Sequence, residues 1–359
     1  MTSVRVLVIG PEREGEGGMS VVGGHVARAL AEHSVTRVPS RGGGGWVRDG
    51  LGFMRALVLV ARRCLVRQPT IVHLNVAPRG SMFRKSCFAA LAVATRRPFI
   101  VHFHSGRFGE WLGQRSALEQ RGVRAVMKRA TRIWVLADRF AAELSAQLSL
   151  PPDLFLVVAN GVEAPTVERR PIEPPRILFV GRFVALKGID VLLEAIGRRP
   201  LEGLDWRLEL IGGGPQDVQT HVERLGLSSR VEIRPWVDRV KVDRALAEAA
   251  VLVVPSRSEG LPLVVLEAMA MGTPVVATRV GAVEDVLQNG ELGDLVPPDD
   301  PERLAASIAG VLTHRCAAEE RARRAREVWG QVWSAESFAQ RVRDAYAPII
   351  ASVQREVGS

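Results

Sequence analysis

The chain has 359 residues, 47% of them hydrophobic, more than one ordinary core holds, which predicts two domains. Three scattered cysteines (Cys64, Cys87, Cys316), with no Cys-x-x-Cys pair or histidine cluster around them, exclude a disulfide framework and a zinc site and make a reducing compartment the expectation. The net charge of +9 is uneven: residues 1–165 hold 23 Lys and Arg against 11 Asp and Glu, so an anionic partner is expected there, and with 5% aromatic residues and no basic-aromatic stacking motif that partner is not nucleic acid.

A strand is predicted at Val4–Ile9, and because it begins at once no signal peptide is expected. The loop behind it, Gly10 to Ser20, carries three glutamates and the pair Gly17-Gly18 ahead of a helix from about Val21. Gly-Gly at a helix start lets backbone approach a phosphate, although a plain glycine-rich turn reads equally well and the Gly-x-Gly-x-x-Gly fingerprint is missing. Further strands are predicted at Ile71–Asn75, Phe99–His104, Ile133–Leu136 and Leu154–Val158. A helix around Met54–Arg67 sets Arg55, Arg62, Arg63 and Arg67 over one sector. Arg121, Arg124, Lys128 and Arg132 follow helical steps in one stripe, with Val123, Val126, Met127 and Ala130 opposite. Such helices either lie on an anionic leaflet or pack on their own sheet and turn arginines to water. No apolar stretch is long and uninterrupted enough to span a bilayer, so a soluble protein is expected. His104 ends its strand, where it caps the strand or meets a ligand; His73 and His102, inside strands, read as core.

Glu163–Pro175 has the proline content of a linker. Beyond it, strands near Ile177–Val180, Arg207–Ile211, Val231–Arg234, Val251–Val254, Pro274–Ala277 and Asp294–Val296 alternate with helical segments, which predicts parallel sheets covered on both faces. Ligands of such sheets gather beyond the carboxyl ends of the strands. There Arg182 and Lys187, five residues apart beside a helix start, form a natural diphosphate clamp, the plain alternative being a solvated basic loop. Only four of the 48 basic residues are lysines, which sets Lys187 apart. Gly212-Gly213-Gly214-Pro215 makes a further glycine turn. In Pro255-Ser256-Arg257-Ser258-Glu259-Gly260-Leu261-Pro262-Leu263-Val264-Val265-Leu266-Glu267 one glutamate sits in a turn and another on the helix it opens. Free amides at that helix start suit a phosphate, and nearby carboxylates suit sugar hydroxyls, so a sugar nucleotide is the expected ligand. A hydrolytic pair is disfavoured: if all helical, eight residues separate Glu259 from Glu267 by roughly 12 Å, beyond the spacing of either hydrolase class. Asp300-Pro301 reads as an N-cap followed by proline, and Phe338, Val342, Tyr346 and Ile349 mark a packed face of a last helix near Ser337–Glu356.

Taken in order, Gly181-Arg182-Phe183 with Lys187-Gly188, Ile211 to Pro215, Pro255 to Val276, and Leu295-Val296-Pro297-Pro298 with Asp300-Pro301 resemble glycosyltransferase family 4. Ala159-Asn160-Gly161-Val162-Glu163 is similar to the family's Pro-Asn-Gly-Val-Asp, with both ends altered. The resemblance is dense over residues 155–302 and looser over 1–150. It implies an α/β GT-B fold: two Rossmann-like domains whose parallel sheets face a deep interdomain cleft, residues 1–165 on the acceptor side, 166–336 on the donor side, and a helix over 337–359 returning to the first domain. It implies a retaining, nucleotide-sugar-dependent enzyme, and with no Asp-x-Asp and no His-rich spacing in the sequence neither a divalent metal nor another cofactor is expected. Arg182 and Lys187 would hold the donor diphosphate, Glu267 the ribose and Glu259 the donor sugar, with Gly260 beside it. The Leu263 and Val264 amides would reach phosphate, as would Gly17 or Gly18 from the other domain. Gly212 and the Trp236-Val237 step would lie at the nucleotide, and His104 would face the sugar. The acceptor implied is a glycan or a lipid-linked molecule in cell-surface polysaccharide or glycolipid assembly, in the cytoplasm, with peripheral contact at the inner face of the plasma membrane.

Two other classes remain open on the residues. One is a non-transferring enzyme of GT-B fold, such as a sugar-nucleotide epimerase, which product analysis with donor alone would separate. The other is a silent binding protein, for which Arg182, Lys187, Glu259 and Glu267 together have no obvious use. A Rossmann dehydrogenase lacks both its glycine fingerprint and its acidic ribose residue.

Overall fold

The computed structural model describes residues 3–11, 18–40, 46–78 and 80–358. The chain divides into two units, residues 1–160 with 336–359, and residues 161–335. No helix among the described residues is long and apolar enough to cross a membrane.

In the first unit six strands make one sheet: β1 (Arg5–Gly10), β2 (Ser34–Pro39), β3 (Thr70–Val76), β4 (Phe99–Phe103), β5 (Arg132–Val135) and β6 (Phe155–Val157). Their order is β2-β1-β3-β4-β5-β6, with every pairing parallel. β1, β3 and β4 are buried along their whole length, as continuous apolar runs require when helices cover both faces. The helices are α1 (Gly18–Ala29), α2 (Trp46–Leu65), α3 (Gly80–Ala94), α4 (Phe108–Gly113), α5 (Ala117–Met127) and α6 (Asp138–Leu148). β2 is absent from the strands read in the sequence: it is a half-exposed edge strand paired only with β1, so it needs no apolar run. Two helical readings need correction. α5 ends at Met127, so Lys128 caps it and Arg132 is the first residue of β5, not part of a helical stripe. α2 runs from Trp46 to Leu65, which leaves Arg67 beyond its end.

The second unit repeats the architecture with β7 (Arg176–Arg182), β8 (Arg207–Gly213), β9 (Val231–Arg234), β10 (Val251–Val254), β11 (Val275–Thr278) and β12 (Asp294–Val296), in the order β12-β11-β10-β7-β8-β9. Its helices are α7 (Ile189–Ile196), α8 (Val218–Arg224), α9 (Arg239–Glu248), α10 (Leu263–Met271), α11 (Val283–Val286), α12 (Pro301–Thr313) and α13 (Arg315–Val328). Asp300 accepts from the Arg303 amide ahead of Pro301, which fixes where α12 starts. The proline-rich stretch before β7 is fastened to this unit: the Arg170 and Ile172 amides donate to the Ala247 and Glu248 carbonyls. Arg169 Nη1 reaches the Ala249 carbonyl at 2.8 Å. Within β8 the buried Glu209 lies between Arg176 at 2.7 Å and Arg234 at 2.8 Å, so its charge is compensated from two sides.

The last helix, α14 (Ala335–Gly358), belongs to the first unit for almost its whole length. Phe338, Val342, Tyr346, Ile349 and Val353, at steps of three and four, pack with Val6, Ile71, Ile100 and Trp134 of that unit's sheet.

Candidate functional site

The order of strands in the second sheet reverses between β7 and β10, which is where an open α/β sheet leaves a crevice beyond its carboxyl ends. The loops behind these two strands carry the residues singled out in the sequence. Behind β7 a single 3-10 turn, Ala185–Lys187, ends at Gly188. Gly188 has φ +64°, and a Cβ there would stand 1.9 Å from the Pro255 carbonyl oxygen, so only glycine lets the two loops touch.

That contact sets the central pair. Lys187 Nζ lies 2.6 Å from Glu259 Oε1, and Ser256 Oγ donates to the same oxygen at 2.6 Å. Glu259 is nearly buried, whereas Lys187 is about one third exposed. Among the described residues no donor reaches Glu259 Oε2. Arg257, which the sequence reading passed over, ties the two loops together. Its guanidinium forks onto Asp190 at 2.9 and 2.7 Å, takes Asp299 at 2.6 Å, and its own amide donates to the Leu186 carbonyl. Burial would push the Asp190 carboxyl up, but the Arg257 guanidinium holds it below its ordinary value.

α10 begins at Leu263 behind Pro262, which offers no capping side chain, so the Leu263 and Val264 amides open the helix uncapped. Glu259 therefore sits in the turn before α10, and Glu267 is the fifth residue of the helix. The eight-residue helical spacing entertained from the sequence does not apply to this pair. Glu267 is mostly buried and ion-paired to Arg239 of α9, which also holds Asp243 at 2.7 Å. Burial raises the Glu267 carboxyl, Arg239 opposes that rise, and Asp243 adds to it. Arg182, the last residue of β7, is exposed and has no partner among the described residues. Gly212 lies at the carboxyl end of β8, and next to it Gly213 packs near the exposed indole of Trp236, with Val237 following half-buried.

In the first unit His104 follows β4 and its Nε2 lies 2.7 Å from Asn75 Oδ1. Its ring packs on His102 at 4.1 Å, His102 Nδ1 meets His73 Nε2 at 3.3 Å, and His73 Nδ1 meets the Tyr346 hydroxyl at 2.7 Å. Desolvation holds all three imidazoles neutral: His73 and His104 are lowered to about 3, and His102 well below its ordinary value. His104 thus offers a hydrogen bond, not a charge. Gly18 opens α1, and Gly17 lies outside the described residues. The sequence reading also missed Lys85 of α3. It is buried, donates to Ser40 Oγ at 2.6 Å, and its charge bears on His104, while Ser40 in turn donates to the Gly10 carbonyl at 3.0 Å. The scarcity of lysine that marked Lys187 could have marked Lys85 as well.

The family model described as "Glycosyl transferase 4-like domain" matches residues 2–161, and that described as "Glycosyl transferases group 1" matches 174–314. A D-inositol 3-phosphate glycosyltransferase of Acidothermus cellulolyticus is 33% identical over 56% of this chain and 49% of its own length, so the match spans about half of that relative. A putative colanic acid biosynthesis glycosyltransferase WcaL of Salmonella typhimurium is 25% identical over 68% of this chain and 70% of its own. The crystal structure of Anabaena Alr3699/HepE in complex with UDP-glucose superposes with a TM-score of 0.79 over 96% of this chain and 99% of that one, at 17% identity. Two parallel six-stranded sheets flanked by helices, with family models matching one unit each, lead to a single assignment: the chain belongs to glycosyltransferase family 4 and has the GT-B fold.

Proposed function

We propose that this protein is a retaining glycosyltransferase that moves a sugar from a nucleoside-diphosphate donor to a glycan or lipid-linked acceptor. The observation that carries the reading is the Lys187–Glu259 contact at the β7–β10 switch point, beside the uncapped start of α10. Arg182 and Lys187 neutralise the donor diphosphate, and the Leu263 and Val264 amides add hydrogen bonds to it. Glu259, freed in part from Lys187 as the phosphate takes the ammonium, turns Oε2 to the sugar hydroxyls. Glu267 accepts from the ribose, the Gly212 turn and the Trp236-Val237 step lie against the nucleotide, and Gly18 approaches the phosphates. His104, held neutral, hydrogen-bonds a sugar hydroxyl.

In the transfer, the bond from the anomeric carbon to the diphosphate oxygen breaks and that oxygen leaves with the electron pair. The acceptor hydroxyl attacks the same face, and its proton passes to the departing phosphate. The charge that develops is on the leaving group, where the cations of Arg182 and Lys187 suit it, so the chemistry asks for no metal. Screening the protein by thermal shift against UDP-, GDP-, ADP- and dTDP-sugars identifies the donor, and NMR of the product's anomeric centre reads the stereochemistry. No shift with any of the four, or an inverted product, overturns the proposal. Conversion of donor alone to an epimer would replace transfer with epimerisation.

The setting proposed is the inner face of the plasma membrane. α2 exposes Leu51, Met54 and Val58 on one flank and Arg55, Arg62 and Arg63 beside them, while Leu65 at the end of α2 is 74% exposed and Phe83 of α3 is 73% exposed. An apolar stripe bordered by arginines supports an interfacial helix on anionic lipid. Flotation with vesicles containing phosphatidylglycerol tests it: the protein floats at low salt, and Leu51→Glu with Met54→Glu abolishes flotation. No binding by the unaltered protein rejects the membrane reading.

A further inference from the structure

A basic cavity, distinct from the proposed donor residues, opens at the amino end of the first sheet. It holds about 400 Å³ and lies at the amino ends of β4 and β5 against α14. Arg96, Arg97 and Arg132 line it, Thr131 and Ser352 bring hydroxyls, and Pro348 inside α14 supplies an apolar wall. β4 separates it from His104 by roughly 16 Å of extended chain, so it is no extension of the sugar-facing end of that sheet.

The three guanidinium groups have no carboxylate partner among the described residues. Arg97 spends Nε and Nη2 on the Cys64 and Val66 carbonyls, and Arg132 spends Nη1 on the Thr131 carbonyl. Arg96 has no side-chain partner among them. Arginines gathered around one cavity without acids stand ready for an anion with several oxygens, which they meet through forked hydrogen bonds. The backbone adds a second, independent observation. Behind α3 the Arg96 amide donates to the Val93 carbonyl and the Arg97 amide to the Ala92 carbonyl, the motif that ends a helix on a left-handed residue. That residue is Arg96, with φ +52°, where glycine fits without strain. An arginine held in a strained conformation at the rim of a cavity is understandable if its side chain is needed there.

We infer that this cavity binds a phosphoester or diphosphate of metabolite or headgroup size, with its phosphate on Arg96 and Arg132 and its body along Pro348. A volume of this order is that of a small-molecule site. Because the apolar wall belongs to α14, an occupant would also fasten that helix to the sheet.

The test is calorimetric titration of inorganic pyrophosphate into the full chain carrying Arg182→Ala and Lys187→Ala, which removes the clamp of the donor site. The expected result is one bound equivalent, with affinity falling at least about tenfold when Arg96→Gly and Arg132→Gln are added. Arg96→Gly relieves the left-handed arginine, so a melting temperature that is unchanged or raised separates lost binding from lost folding. Flotation of the same two proteins, each also carrying Leu51→Glu and Met54→Glu so that α2 no longer reaches lipid, with phosphatidic acid in phosphatidylcholine vesicles distinguishes the sources. Vesicle binding that depends on Arg96 and Arg132, without pyrophosphate binding, assigns the site to a lipid phosphate. Absence of both kinds of binding, or either one undiminished by the two substitutions, overturns the inference.

Discussion

Lys187 and Glu259, 72 positions apart in sequence, meet at 2.6 Å because the strands that deliver them are neighbours in the sheet although their loops are not neighbours in the chain. The pair is an ion pair as it stands, and a donor diphosphate would compete with Glu259 for the ammonium. Substituting either residue therefore removes both a proposed ligand contact and the orientation of its partner. Lys187→Ala and Glu259→Gln are each expected to lower kcat by about 10²-fold or more, the scale of a lost charge-stabilising donor, with circular dichroism unchanged. Near-normal turnover in both would remove these loops from the reaction.

The contact between the loops depends on Gly188. A methyl group there meets the Pro255 carbonyl oxygen at 1.9 Å, and φ +64° is strained for any L side chain. Gly188→Ala is expected to lower the unfolding free energy by at least about 2 kcal/mol, one part from the left-handed backbone and the rest from backbone displacement. Chemical denaturation measures the loss. Activity should fall further than stability, since Lys187 is the adjacent residue.

Glu267 yields a pH prediction with a definite sign. Burial raises its carboxyl and Arg239 restrains the rise, so protonation would overtake the proposed ribose contact before an ordinary glutamate would protonate. The donor KM should climb as pH falls toward the carboxylate range, with kcat less affected. Removing the guanidinium in Arg239→Ala lets the carboxyl rise further and moves the climb to higher pH, and Arg239→Lys restores part of the difference. A KM profile identical in all three proteins would separate Arg239 from donor binding.

Much of this was legible in the sequence, for identifiable reasons. Strands buried on both faces read as apolar runs, so β1, β3 and β4 in the first unit and β10 and β11 in the second announce themselves. β2 does not, because an edge strand needs no such run. Arg132 fits a helical stripe by spacing alone, and only the end of α5 at Met127 moves it to a strand. Lys187 and Glu259 could each be singled out from turn chemistry and composition. Their contact could not, since it depends on which strands lie side by side. The supports of the site were hidden for the same reason: nothing local to Arg257 points to Asp190, 67 residues away, and nothing in the Lys85 helix points to Ser40.

The histidine line of the first unit makes that unit sensitive to acid. His73 and His104 are lowered to about 3 and His102 is also depressed, in each case first by burial. In the unfolded chain they titrate near the ordinary histidine value of about 6.5, so below that value the unfolded state binds protons that the folded state refuses. Stability from these groups is complete above the ordinary value and is lost as pH falls toward 3. Each contributes a slope approaching about 1.4 kcal/mol per pH unit inside that window. The denaturation midpoint should therefore drop steeply between neutrality and acid. His73→Gln, which keeps a polar partner for Tyr346, should start from a lower stability at neutral pH but fall less steeply. An equal slope in both proteins would mean that His73 takes up its proton in the folded state, and the neutral hydrogen-bonded line from Tyr346 to His102 would then not exist in solution.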